Sequence, residues 1–234
     1  MFEIQVYPYE TMAPGHTMFE FHMNFFPSGT KTGDHGVYPI NHQFHLTMEV
    51  THGISKYWEI GGYLLTAYVP GVGPEFVGSH IRPRFRLPED WPLPFKVSVS
   101  TELGYDRSQF SPDTISLEIR PILEKSSPTW YFCFNPDMTK SFRGESAHRG
   151  LGFEPSLKLA YVPARVVSPG FEYYSDTGFI THFDPLHEQH HLVFATIDVN
   201  TSPDWEFNFG VGRGLTGTSE HWIVKWIIGR RFHF

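Results

Sequence analysis

Alternation of apolar and polar side chains, repeated in segment after segment, is the feature that most constrains the fold of this chain. In "HLTMEVT", for example, Leu46, Met48 and Val50 alternate with polar neighbours. A period of two residues is that of a β-strand with one apolar face. Twelve segments are strand-like: 16–26, 41–51, 56–69, 77–88, 94–105, 114–124, 129–136, 151–161, 166–175, 190–200, 205–214 and 220–234. Helical stripes are nearly absent, so the predicted fold class is all-β.

The connections between these segments alternate between longer and shorter. "PSGTKTGDHGVYPI" has 14 residues and the next connection, "HGIS", has four; the alternation continues along the chain, apart from the last pair. Most segments also approach the roughly 9–11 residues with which a tilted strand crosses a bilayer. Outer-membrane barrels have short periplasmic turns, longer outer loops and an even strand number. The sequence therefore predicts a transmembrane antiparallel β-barrel of twelve strands with both termini periplasmic.

The whole chain, 1–234, is predicted to form this single barrel domain. Its first part, 1–15, contains the strand-like "FEIQVYPYETM" of residues 2–12. Pro8 and Pro14 disfavour a central strand there, because proline cannot donate to a ladder of backbone hydrogen bonds. We predict that this segment lies at the periplasmic mouth of the barrel or inside its lumen.

Composition supports a membrane barrel and excludes several other classes. Aromatic residues make up 17% of the chain and charged residues only 18%, which is typical of proteins with aromatic belts at a membrane interface. The net charge of −7 makes nucleic acid an unfavourable partner. No run of 18 apolar residues predicts a transmembrane helix, and the single cysteine, Cys133, allows no internal disulfide.

The start "MFEIQVYPYE" shows no signal peptide. Either the protein stays inside the cell or Met1 stands in place of a removed signal, and we favour the second interpretation.

The last segment, "HWIVKWIIGRRFHF", ends on aromatic residues. Trp222, Val224, Trp226 and Ile228 share one face, which Phe232 and Phe234 continue, whereas Lys225 and Arg231 fall on the other. Ile223 and Ile227 are apolar exceptions on that second face. We predict that four aromatic side chains of this segment face lipid and form its membrane-insertion signal: Trp222, Trp226, Phe232 and Phe234.

Arg82, Arg84 and Arg86 share one strand face and remain charged at any usable pH. Facing glutamates across a lumen, they would form a pore constriction with a transverse field. The alternative is that paired charges fill a narrow interior, since twelve strands lie between filled eight-strand and open sixteen-strand barrels. The predicted pore-lining set is Arg82, Arg84, Arg86, Lys96, Glu102, Glu118, Arg120, Glu49, Glu59, Lys158, Glu206 and Lys225.

Other chemically suggestive groups favour plainer interpretations. Histidine is a good metal ligand, and the sequence offers a group of three, His187, His190 and His191. A surface cluster without metal is the better interpretation of this group. His42 and His45 are weaker candidates for a metal site. A hydrolase would need a serine such as Ser98, Ser100 or Ser116 with a histidine, but the sequence contains no G-x-S-x-G.

Cys133, on the same face as Tyr131 and Asn135, is predicted to be a buried, inert thiol. Gly210 and Gly212 would let a strand bend or a neighbour approach closely. No metal, cofactor or catalytic residue is predicted.

Several stretches together resemble bacterial outer-membrane porin-like β-barrels: "EIQVYPYETMAPG", "MEVTHGISKYWEIGGYLL", "RFRLPEDWPLP", "LEIRPILEK", "GFEPSLKLAY", "FEYYSDTG" and "DWEFNFGVGRGLT". Members of this family are named as transporters or after meta-cleavage phenol-degradation pathways. "WIIGRRFHF" also resembles the aromatic-ended last strand that the outer-membrane insertion machinery recognises. The resemblance implies a bacterial outer-membrane location, with that machinery, outer-membrane lipids and lipopolysaccharide as partners. Members carry cleavable signal peptides, and this chain departs from them there.

The function expected from these observations is passive passage of an unidentified small solute, with no enzymatic activity. The alternatives are a filled structural or adhesive barrel without conductance and, less favoured, a membrane-embedded hydrolase. A soluble all-β binding protein would stay in solution without detergent, whereas exposed aromatic stripes should make this chain aggregate.

Overall fold

A computed structural model describes residues 2–33, 36–162 and 166–233. These residues form β-strands and irregular segments. No helix long and apolar enough to cross a bilayer is found among them. The strands are β1 (His16–Ser28), β2 (Phe44–Ser55), β3 (Trp58–Val69), β4 (Gly73–Arg86), β5 (Lys96–Asp106), β6 (Asp113–Ser126), β7 (Trp130–Asn135), β8 (Met138–Gly144), β9 (Gly152–Phe153), β10 (Ser156–Tyr161), β11 (Val167–Asp176), β12 (Gly178–Phe179), β13 (His182–Phe183), β14 (His190–Val199), β15 (Trp205–Gly214) and β16 (Trp222–His233).

The strands close into one antiparallel barrel, because the first strand, β1, pairs with the last, β16. Strands β7 and β8 both pair with β6 and act as one barrel strand, interrupted at Pro136. Strands β9 and β10 likewise form one barrel strand, interrupted at Pro155. Proline has no backbone N–H and so breaks the ladder at both points. With β12 and β13 forming a small hairpin beyond β11, the barrel has twelve strands, as the sequence predicts.

The predicted strand positions agree closely with the structure, and two predicted connections are wrong in part. Residues 138–144, placed in a 14-residue connection by sequence, are strand β8. Residues 70–72 form a tight turn, whereas 87–95 form a longer connection. The predicted order of the longer and the shorter connection is therefore reversed at this pair. Gly71 and Gly73 have φ values of 80° and 109°, which glycine adopts without steric cost, and this permits the tight turn.

The outer face of the barrel is apolar. Every second side chain along the strands is directed outward, as predicted, and many of these are large and exposed: Phe19, Phe21, Ile60, Leu64, Ile81, Val99, Leu103, Leu159, Phe171, Ile197, Phe209 and Val211. An exposed apolar surface of this extent requires a nonaqueous environment or a partner.

Exposed aromatic side chains gather at both rims of this surface. Trp58, Trp130 and Tyr161 lie at the rim where β1 begins and β16 ends, which we call the termini end. Tyr68 and Tyr105 lie near the opposite rim, the loop end, which carries the connection 29–43. Two aromatic girdles around an apolar band are the surface pattern of outer-membrane barrels.

The last strand follows the predicted faces. Trp222 is 45% exposed on the outer side, and Trp226 and Phe232 lie on the same face, half-buried. Phe232 packs edge-on against Phe19 of β1, with ring centroids 5.5 Å apart. Phe234 lies outside the described residues. The lipid-facing and insertion roles of these residues stay predictions.

The N-terminal segment runs inside the barrel. Residues 2–12, which we call the plug, form no strand, and Ile4, Val6, Tyr7 and Tyr9 are buried within the lumen. They belong to an apolar cluster with wall residues: Phe26, Ile122, Cys133, Tyr174, Leu192, Phe194 and Ile223. The contacts of this segment are with interior-facing side chains of the barrel wall.

Gly53 controls how closely the end of the plug approaches the wall. A Cβ added at Gly53 would overlap the backbone oxygens of Met12 and Ala13. We expect Gly53→Ala to lower the free energy of unfolding by about 1–3 kcal/mol, the usual cost of overpacking. Urea titration in detergent micelles measures it. Gly62→Ala is the matched control on β3, since nothing lies within 4 Å of its added Cβ. Equal stability of the two variants would contradict this role of Gly53.

Candidate functional site

The candidate site is the barrel lumen together with the plug. The plug runs from the loop end to the termini end. Phe2 stacks on His45 at 4.0 Å near the loop end, and Met12 N donates to Glu59 Oε2 at 2.5 Å near the termini end. The plug therefore spans the length of the lumen that solutes would have to cross.

Wall side chains satisfy the backbone of the plug. Tyr7 N donates to Asn135 Oδ1 at 2.8 Å, and Asn135 Nδ2 donates back to Tyr7 O at 3.2 Å. Lys225 Nζ donates to Ile4 O at 2.8 Å. An extended segment without a strand neighbour needs such partners, because buried backbone groups are costly when unpaired. The same arrangement continues toward the termini end, where Tyr9 N donates to Glu124 Oε2 at 2.9 Å.

The predicted arginine ladder is ion-paired. Arg82 is 1% exposed and contacts Glu49 Oε1 at 2.6 Å and Glu59 Oε1 at 3.0 Å. It also donates to the Tyr63 hydroxyl. Arg84 contacts the same Glu59 oxygen at 2.6 Å. Because each guanidinium has a carboxylate partner, the ladder contributes a dense charge network rather than a row of free cations.

Arg86, the third member of the ladder, lies nearer the rim. Its Nε donates to Lys56 O at 2.9 Å, and its guanidinium lies 3.6 Å from the half-exposed Glu89. Lys96 contacts the same Glu89 at 3.2 Å. These two cations therefore meet solvent at the termini end.

Two further charge networks line the lumen. Glu172 is shared by Lys225 and Lys158, and Lys158 also contacts Asp198 at 2.8 Å. In the second network, Arg120 of β6 contacts Glu118 at 2.6 Å and Asp137 at 3.2 Å. The Arg120 guanidinium also lies 4.3 Å from the centre of the Tyr7 ring, a cation–π distance, so this network too contacts the plug.

All twelve predicted pore-lining side chains lie on the interior side of the barrel or at its inner rim, including Arg86, whose guanidinium lies 5.5 Å from the centre of the Tyr9 ring of the plug. Their role in lining a conducting pathway stays a prediction. The signal that located them was the polar face of each strand. The contacts that pair them across strands, and the plug side chains among them, had no signal in the sequence.

The plug divides the lumen into separate cavities. One of about 290 Å³ lies toward the loop end, and two of about 340 Å³ and 570 Å³ lie toward the termini end. Gln5 of the plug borders all three, and its Oε1 has no hydrogen-bond partner among the described residues. The polar space on either side of Gln5 is thus interrupted by the plug itself.

A cavity of about 360 Å³ under the loop-end connections, which we call the vestibule, adjoins the first of these cavities and is acidic. Among its described lining residues the only ionisable side chains are carboxylic acids: Asp106, Asp113, Glu154, Asp176 and Asp184. Such a mouth attracts cations and repels anions.

The histidines considered for metal binding and the serines considered for hydrolysis have other surroundings. His187 is exposed beside Glu188, and the His191 ring lies between the Tyr173 hydroxyl at 2.6 Å and Gln189 Oε1 at 2.9 Å. The Oγ atoms of Ser98 and Ser100 are buried without a hydrogen-bond partner among the described residues, so neither forms a serine–histidine pair there.

Cys133 is fully buried, as predicted, and its thiol donates to Tyr7 O at 3.2 Å. A Cβ at Gly212 would overlap the Phe194 ring, and a Cβ at Gly210 would lie in tight contact with the Lys225 side chain, at 3.1 Å. Close approach of a neighbour is therefore the role of both glycines.

No protein-family model and no curated protein matches this sequence. Solved structures do. The fold is similar to the COG4313 outer membrane channel from Pseudomonas putida F1, with a TM-score of 0.64 and 12% identity over 98% of this chain and 100% of that one. It is also similar to the KdgM porin and the NanC porin, with TM-scores of 0.57 and 0.56, each 8% identical and covering 93% of this chain and 99% of the other. The chain thus has the fold of bacterial outer-membrane porin-like barrels.

Proposed function

We propose that this chain is a bacterial outer-membrane channel or transporter for a small solute, in which the plug is the gate. The observation that carries the proposal is the lumen itself, which is charged, contains cavities on both sides of Gln5 and is interrupted by a segment outside the sheet. A barrel with a purely structural role needs no such cavities.

The manner in which the plug is held supports a gate. It belongs to no strand, and side chains of the wall, rather than the barrel's backbone ladders, hold its backbone at Ile4, Tyr7 and Tyr9. Wall side chains can exchange these bonds for water when the plug moves, whereas the ladders of the barrel remain intact. The same barrel therefore supports a closed and an open lumen.

The proposed location is the bacterial outer membrane, with both termini on the periplasmic side. The apolar band with aromatic girdles supports a lipid environment. The partners proposed with this location are outer-membrane lipids, lipopolysaccharide and the insertion machinery, which would read the aromatic end of β16. The porin similarity supports the same assignment at the level of fold.

The acidic vestibule favours cationic solutes. Two runner-up functions, a structural or adhesive barrel and a membrane hydrolase, do not require conductance. Single-channel recording in a planar bilayer, with and without residues 2–12, therefore tests the proposal directly.

Neutralising the vestibule should weaken cation preference. In a chain without residues 2–12, we expect Glu154→Gln/Asp184→Asn to shift the reversal potential in a salt gradient toward anions. The shift should be larger at low salt, since the screening length is about 10 Å at 0.1 M. Glu188→Gln, at an exposed loop carboxylate, is the matched control. Unchanged selectivity in the double variant would show that the vestibule does not select ions.

A further inference from the structure

The strongest unassigned feature lies in the loop-end cavity, where the plug meets the wall. His80 of β4, Glu102 of β5 and Glu3 of the plug bring one nitrogen and two carboxylate oxygens within 4.8 Å of one another. The His80 Nδ1 atom lies 2.6 Å from Glu102 Oε1 and 4.0 Å from Glu3 Oε1. We propose that these three residues bind a divalent transition-metal cation of the Zn²⁺ class.

The orientation of the imidazole fits a metal ligand. The His80 Nε2 atom lies 3.3 Å from Asp106 Oδ1, so this nitrogen donates its proton to that carboxylate. At 2.6 Å, Nδ1 and Glu102 Oε1 are joined by a proton. A metal ion bound by His80, Glu102 and Glu3 would take the place of that proton, because a histidine ligand binds in its neutral form and metal binding releases protons. A carboxylate behind the ring is the usual arrangement for a metal-bound histidine, because it fixes the tautomer and raises the basicity of the ligand.

Glu102 provides an independent observation that points to a bound cation. It is 8% exposed, and its Oε2 is buried with no hydrogen-bond partner among the described residues. A buried carboxylate oxygen left without a donor is costly. A cation between Glu102, Glu3 and His80 would satisfy it.

The barrel wall leaves space for the His80 imidazole at Gly104. Gly104 pairs with His80 across β4 and β5, and a Cβ at Gly104 would lie only 2.8 Å from the ring atom Cδ2. The absence of a side chain at this position thus lets the imidazole lie against β5 and reach Glu102. Residue 104 therefore fixes the ligand geometry.

The charge of the cavity favours a cation. Its described acidic lining residues are Glu3, Glu102, Asp106, Glu118, Asp137 and Glu154, and its basic ones are His80 and Arg120. Arg120 is already engaged by Glu118 and Asp137. Glu3, Glu102 and Asp106 surround the His80 ring. The open cavity leaves a fourth coordination position for water or for a solute, as at zinc sites with three protein ligands.

A second group of similar composition, Glu20, His22 and Glu49, is a poorer site. Its Glu49 already contacts the Arg82 guanidinium at 2.6 Å, and that positive charge would repel a metal ion. This group serves as an internal control.

The position of the site has a consequence for the plug. Glu3 belongs to the plug, whereas His80 and Glu102 belong to the wall, so a bound cation fastens the two together at the loop end. This consequence rests on the proposed gating function, but the binding of the metal does not.

Isothermal titration of the full chain in detergent with ZnCl₂ tests the binding. We expect one Zn²⁺ per chain, and His80→Gln or Glu102→Gln should weaken binding at least about tenfold, since loss of groups that only orient ligands already costs 10–100-fold. Glu3→Gln should weaken it as well. Two controls should leave binding unchanged, His22→Gln and the loop variant His187→Gln/His190→Gln/His191→Gln.

Heat-modifiable migration establishes that each variant is folded before titration. Absence of binding by the wild-type chain at millimolar Zn²⁺ would overturn the proposal. So would binding that persists in His80→Gln/Glu102→Gln and disappears in the loop histidine variant. Neither result depends on conductance, so the channel proposal stands or falls separately.

Discussion

Deletion of residues 2–12 is expected to turn a chain with few or no current steps into one with discrete, lasting steps in a planar bilayer. The plug interrupts the lumen at Gln5, where cavities of about 290, 340 and 570 Å³ meet it. Removing it should join these cavities into one aqueous path. Single-channel recording of the refolded wild-type and deleted chains measures the effect.

The deleted chain should still fold, because the barrel closes through pairing of β1 with β16 and no strand includes residues 2–12. Lys225 and Asn135 lose their plug partners, and water in the opened lumen replaces them. If the deleted chain is folded, as heat-modifiable migration would show, but passes no current, the channel proposal is contradicted and a filled structural barrel is favoured.

Cys133 offers a readout of plug displacement that does not rely on current. It is the single cysteine, fully buried against Tyr7. A charged, water-soluble thiol reagent should label the deleted chain quickly and the wild-type chain slowly, with Cys133→Ser as the unlabelled control. Equal labelling rates would mean that the plug does not cover this part of the wall in solution.

Replacing Arg82 should cause the largest loss of stability among single substitutions in the lumen. Arg82→Met leaves the fully buried Glu49 carboxylate without its arginine partner, whereas Glu59 keeps Arg84. Breaking a buried ion pair from one side costs about 3–5 kcal/mol, because it leaves uncompensated charge. The urea midpoint of unfolding in detergent micelles should fall accordingly.

The matched control is Arg231→Met. Arg231 contacts Glu206 at 2.9 Å, but both side chains are about one-third exposed, so this change should cost no more than about 1 kcal/mol. Arg82→Met/Glu49→Gln should recover part of the loss by removing the stranded charge. If the single and double variants were equally unstable, packing of the Arg82 side chain rather than its charge would explain the effect.

The strands and their faces were predictable because they depend on local pattern. The alternation in "HIRPRFRLP" placed Arg82, Arg84 and Arg86 inside and Ile81 outside, as the structure does. The prediction failed at residues 138–144, where Pro136 and Asp137 look like the end of a strand. Pairing with β6 resumes beyond them, and that tertiary pairing has no local signature.

The sequence by itself determined that the strands of this chain have one apolar and one charged face, because a period of two residues assigns each side chain to a face whatever its distant neighbours are. Only the tertiary structure decided how the inside is used. Contacts such as Lys225 with Ile4 and Tyr7 with Asn135 join residues more than a hundred positions apart. They depend on the closure of the barrel around its own N-terminal segment, and no periodicity along the chain records them.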